Sequence, residues 1–173
     1  MELTEVDPEV AAATLAADLA SYWSKGLPEL RGITRLRLHP LTEIIGIPGR
    51  RPDGTLDPYH LKIEANHYGP HPVRVRFVEP LTWAVAQPGS PWLPVIENAP
   101  PWFGLHPLYD LPDGPGQLVC FSFSLDYYTT NHTPGPTEIW RQGERTVAAT
   151  INRLYEILGP QYYRGRTELE AAA

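Results

Sequence analysis

The sequence is short of cysteine, of lysine and of long apolar runs. With a single cysteine, Cys120, no internal disulfide can form, so the one thiol is either inert packing or a nucleophile. Of the 14 basic residues only Lys25 and Lys62 are lysines, which leaves few amines open to self-modification. Positive charge is not in excess. A formal net charge of -6 offers no general attraction to a phosphate backbone or an anionic lipid surface, and argues against nucleic acid and membrane partners. No apolar run is long enough to span a bilayer, and the acidic start Glu2-Leu3-Thr4-Glu5 has neither the basic nor the apolar region of a leader, so a cytoplasmic protein is expected.

What is present suffices for one domain. A chain of 173 residues, 42% of them hydrophobic, can bury its own core and is too short to expect two. The reading is a single domain over residues 1–165, with residues 166–173 a frayed tail. Asp7 followed by Pro8 marks a helix start, Leu15, Leu19, Tyr22 and Trp23 recur at helical spacing, and Gly26 with Pro28 ends the run. A helix over Pro8 to Lys25 follows. Beyond Gly32 the period shortens to two. Leu36 and Leu38 alternate with Arg35 and Arg37, Ile44-Ile45-Gly46-Ile47 follows, then Tyr59 to Ala65 and Val73 to Phe77 alternate cleanly. Four strands with short connections predict an antiparallel meander whose apolar face packs on the first helix and whose Arg/Lys face is wet. Val147, Ile151, Leu154 and Leu158 predict a closing helix over Glu144 to Leu158, so the fold class is α+β.

From Glu79 to Thr137 periodicity fades, and many of the 20 prolines and 14 glycines fall here. Trp83, Trp92, Trp102, Phe103 and Tyr109 are too many aromatics for a disordered segment, so the expectation is a long, packed, irregular loop of the kind that carries function. Cys120 lies near its end, behind His106-Pro107 and the approach Gly116-Gln117-Leu118-Val119-Cys120. Flanked by Leu118, Val119, Phe121 and Phe123, the thiol also fits as a small buried hydrophobe. His60, His67 and His71 lack the cysteines or the helical His-Glu spacing of a metal site, so no metal and no cofactor are expected.

Several of these segments resemble ubiquitin-conjugating enzymes. The stretch Tyr68-Gly69-Pro70-His71-Pro72 leading into the Val73-to-Phe77 strand is similar to that family's proline turn and strand, and His106-Pro107 resembles the start of its His-Pro-Asn motif. The Gly116-to-Cys120 approach, and Trp140 ahead of the last helix, fall in the family's order. The resemblance implies an active-site loop carrying Cys120, which accepts a ubiquitin-like protein as a thioester from an activating enzyme and passes it to a protein or small amine target. It also implies that His106, Pro107 and Trp140 structure the loop. The trimmed length and the acidic first helix resemble the bacterial members encoded beside a ubiquitin-like protein, an activating enzyme and a deconjugating peptidase, and imply a part in antiphage defence.

One position departs from the family. Where its motif places an oxyanion-donating asparagine this chain has Leu108, so the donor must be a backbone N–H, or Asn131 or His132, which also fit as turn residues before Thr133-Pro134. Two alternatives remain. One is a catalytically silent module of the same fold that only binds a ubiquitin-like protein. The other is a cysteine hydrolase pairing Cys120 with His106 or His132 and Asp110 or Asp126.

Overall fold

The computed structural model describes residues 3–130 and 132–167. Helix α1 runs over Pro8–Trp23, ending two residues before the expected Lys25. Asp7 caps it as predicted, its carboxylate accepting from the Glu9 and Val10 N–H groups at 2.8 and 3.3 Å. Gly26, at φ 67°, reverses the chain into the single turn α2 (Leu27–Leu30). Four strands follow, β1 (Thr34–His39), β2 (Thr42–Arg50), β3 (Leu56–Glu64) and β4 (Arg74–Val78), in the spatial order 1-2-3-4 with every pair antiparallel. The predicted meander is there. Helix α4 (Val147–Ile157) closes the fold and buries Val147, Ile151, Leu154 and Ile157.

The core lies between α1, α4 and one face of the sheet. Register puts Ile45 opposite Leu61, Ile47 opposite Tyr59, Leu61 opposite Phe77 and Ile63 opposite Val75, and all of these are buried in one cluster with Leu15, Leu19, Ile151 and Leu154. Tyr68 ties three elements with one hydroxyl. It donates to Asp18 Oδ2 of α1 at 2.7 Å and accepts the Val147 N–H at the start of α4, also at 2.7 Å. Tyr22 OH donates to Asn152 Oδ1 at 2.8 Å and joins the two helices a second time.

Two parts of the expected sheet pattern are corrected. On β1 the faces are reversed: Arg35 sits opposite Ile45, on the core side, while Leu36 and Leu38 point to the outer face. The reason is that β1 is the edge beyond the end of the core, where Arg35 reaches Glu43 at 3.1 Å and lies over the Trp23 ring, covering it with a cation in place of an alkyl chain. Nor is the opposite face of β4 wet, because Arg76 is buried against the carboxylate of Asp126.

The stretch from 79 to 137 is not one irregular loop. It contains β5 (Pro94–Ile96), a hairpin of β6 (Gly104–Leu111) and β7 (Gly114–Cys120), and the short helix α3 (Leu125–Thr129). Residues 168–173 of the expected tail lie outside the described residues. Residues Tyr163–Arg166 form β8, paired antiparallel with β5, and the Thr167 N–H donates to the Leu93 carbonyl. Tyr163 explains why the chain stays down here: its ring meets Tyr59 edge-on at 5.5 Å, and its hydroxyl donates to buried Asp57 at 2.6 Å. Gly49 permits this, since a Cβ there would lie 2.8 Å from the Tyr163 ring and 2.9 Å from Tyr59.

Candidate active site

Cys120 is the last residue of β7, placed by the hairpin and not by a free loop. Gly104 pairs with Cys120, His106 with Leu118, and a bulge between His106 and Tyr109 takes up Pro107, whose missing N–H costs nothing where the ladder is already broken. The hairpin stands outside the main sheet and is fastened to it by side chains. Gln117 Oε1 accepts the Phe77 N–H at 2.7 Å, and Nε2 donates to the Phe77 and Ala86 carbonyls at 3.2 and 3.1 Å. One buried amide thus satisfies the edge of β4 as a neighbouring strand would. Asp126, on α3, adds charge: its carboxylate takes Arg76 and, at 3.0 Å, Arg74, which also reaches Asp113 in the hairpin turn at 3.0 Å.

The Cys120 thiol is 8% exposed and opens into a cleft of about 390 Å³ walled by Trp102, Phe103, Tyr127, His132 and Glu138. His132 Nε2 lies 3.5 Å from Sγ. The other ring nitrogen, Nδ1, is 2.9 Å from Thr130 Oγ1, and that hydroxyl is 2.6 Å from the Asp126 carbonyl oxygen. A carbonyl can only accept, so the single Thr130 proton goes to Asp126 and Oγ1 must accept from Nδ1–H. The tautomer follows: Nε2 carries the lone pair and faces the thiol. Tyr127 fixes the ring plane by stacking on it at 4.9 Å and 30°.

Electrostatics set how this pair can act. Burial pushes the Cys120 thiol up to about 11, so it rests protonated at neutral pH and needs a base at the moment of attack. Among the described residues His132 is the base within hydrogen-bonding distance. Glu138 is held in place, with Ser122 donating to it at 3.0 Å and Arg153 at 3.2 Å. Tyr127 brings a donor to the cleft. Its hydroxyl has no hydrogen-bond partner among the described residues, and burial raises its phenol, with Cys120 and Glu138 raising it further.

The expected site residues are only partly brought together. Cys120 and His132 meet, with His132 placed as a base. Asn131 lies outside the described residues. His106 and Pro107 are exposed on the hairpin, the His106 ring against Tyr109 at 5.2 Å, and Leu108 projects from the bulge, 65% exposed and away from the cleft. Trp140 is buried, its N–H donating to Tyr128 OH at 2.8 Å and Nε1 to the Gly69 carbonyl at 2.9 Å, which holds the segment after His132 against the β3–β4 turn. Of the carboxylates considered for a hydrolase, Asp110 is exposed on β6 and Asp126 is committed to arginines. Thr130, Tyr127 and Glu138 were not singled out by sequence, and Ser124 ahead of Leu125-Asp126-Tyr127-Tyr128 was the available sign of a helical turn that would gather them. His67 and His71 both engage the backbone of Thr4, while His60 stands on β3 against Trp83. No family model matches this chain, and no curated protein matches it either.

Proposed function

We propose that this chain is a ubiquitin-conjugating-enzyme-like carrier that accepts a ubiquitin-like protein on Cys120 and passes it to an amine. The observation that carries the reading is the Cys120–His132 contact at 3.5 Å, with the bare Nε2 turned to the thiol. The order of helix, four-stranded meander, cysteine segment and closing helix supports it.

In loading, Cys120 Sγ attacks the thioester carbonyl carbon held by the activating enzyme while its proton passes to His132 Nε2. The oxyanion takes a hydrogen bond from the Tyr127 hydroxyl, in the role Leu108 cannot fill. When the intermediate collapses, the donor cysteine leaves and receives the proton from His132. Discharge runs through the same groups. An amine attacks the Cys120 thioester, His132 takes the amine proton, and the same proton is returned to the departing sulfur. A thiol as weakly acidic as about 11 is a poor leaving group unless it is protonated as it leaves, which gives His132 a second use.

The depth of the thiol favours one other reading, the silent binding module. A single experiment separates them: mass spectrometry of the chain with its activating enzyme, ubiquitin-like protein and ATP. A thiol-labile adduct on Cys120, absent or converted to a stable oxyester in Cys120→Ser, supports the carrier. Binding of the ubiquitin-like protein without any adduct leaves the silent module.

A further inference from the structure

A second cavity, of about 570 Å³, lies between the end of β2 and the C-terminal end of α4. It shares no lining residue with the cleft at Cys120. Arg31 and Arg50 line it, both over the ring of Tyr155, at 4.7 and 4.2 Å from its centroid. Neither arginine is within salt-bridge distance of a carboxylate among the described residues. Arg50 Nε is buried and without a hydrogen-bond partner. Two cations held beside one ring, with no anion between them, leave their attraction unmet.

The third polar group is oriented for the same purpose. Asn152 Oδ1 accepts from Tyr22 OH at 2.8 Å and from Arg31 Nη1 at 2.7 Å, so both oxygen lone pairs are used. A flipped amide would face an N–H to the guanidinium of Arg31, which can only donate, so Nδ2 is the other end, and it has no hydrogen-bond partner among the described residues. The carboxylate present, Glu156, is paired with Arg153 at 3.3 Å. The Leu158 carbonyl, at the negative end of α4, is occupied by the Arg50 N–H at 2.8 Å.

We infer that this cavity is a binding site for a phosphoryl group, carried by a small molecule. A phosphoryl dianion neutralises both guanidiniums, and its three oxygens match two planar forks and an amide better than the two oxygens of a carboxylate do. The volume leaves room for a substituent beyond the phosphate.

The test is calorimetry of the full chain with inorganic pyrophosphate at constant ionic strength, alongside ¹H–¹⁵N spectra of the Asn152 side-chain amide. Saturable binding is expected, with the Asn152 amide signals shifting. Arg50→Gln should weaken it by at least about 10-fold, Arg50→Lys less, and Arg37→Gln, exposed on β1, not at all. Thermal melts of each variant separate lost binding from lost folding. A nucleoside triphosphate that binds more tightly than pyrophosphate places a nucleotide in the cavity, and equal affinity places a ligand read through phosphate alone. Absence of saturable binding up to about 10 mM, or equal affinity in a folded Arg50→Gln protein, overturns the site.

Discussion

The two regions of the molecule share one apolar core and differ in how their strand edges and turns are held. In the frame of α1, the four-stranded sheet and α4, apolar side chains meet across faces, and strand edges are satisfied by backbone ladders. In the layer that carries Cys120, a two-stranded hairpin, one short helix and the link between them bury Val119, Phe121 and Tyr128 in the same core, and are attached in addition through Gln117 and through the pairing of Asp126 with Arg74 and Arg76. Burial is non-directional and tolerates small shifts, whereas a buried amide or ion pair holds only in one geometry. The shared core therefore supplies stability, and the side-chain fastenings fix where the sulfur sits.

The comparison can be broken from the frame side first. Leu154→Asp places an unpaired charge in the core shared by both helices and the sheet, and should cost about 5 kcal/mol, enough to unfold the domain; circular dichroism should show lost secondary structure. An unchanged melting temperature would remove Leu154 from that core. Asp126→Ala leaves Arg76 buried without its partner and should cost about 3–4 kcal/mol. Hydrogen exchange should then rise in residues 114–120 before it rises in β2 and β3, and simultaneous loss would mean that the two regions are one cooperative unit. Gln117→Ala strips two hydrogen-bonding groups from Phe77 and should cost about 2 kcal/mol, with the same local signature. If its exchange pattern matches that of the native protein, Gln117 is not the fastening.

The same contrast explains what the sequence could tell. The frame was legible because each of its elements repeats a period: Tyr59, Leu61 and Ile63 at two, Val147, Ile151 and Leu154 near 3.6. The hairpin was hidden because Gly114-Pro115-Gly116-Gln117 alternates nothing, and because its bond to β4 comes from a side chain 40 residues away in sequence. β5 and β8 are short and pair between distant segments of the chain, so neither carries a local signal. The reversed faces of β1 were misread because alternation gives a period and not a direction; Trp23 and Glu43 decide which way Arg35 turns. Cys120 and His132 were both named from sequence. What could not be read was the proton, since the tautomer of His132 depends on a Thr130 hydroxyl whose own partner is a backbone carbonyl.

The central claim is that His132 moves the Cys120 proton. It is tested most directly by the rate at which Cys120 takes an acyl group from a small glycyl thioester, without any activating enzyme, in the native protein and in His132→Gln. That variant removes the proton acceptor together with the ring's contacts to Tyr127 and Thr130. The account predicts acylation confined to Cys120, slowed about 10²-fold by the substitution, with the melting temperature unchanged. Equal rates in the two proteins, with the fold intact, would contradict it and leave His132 a mere neighbour of a buried thiol.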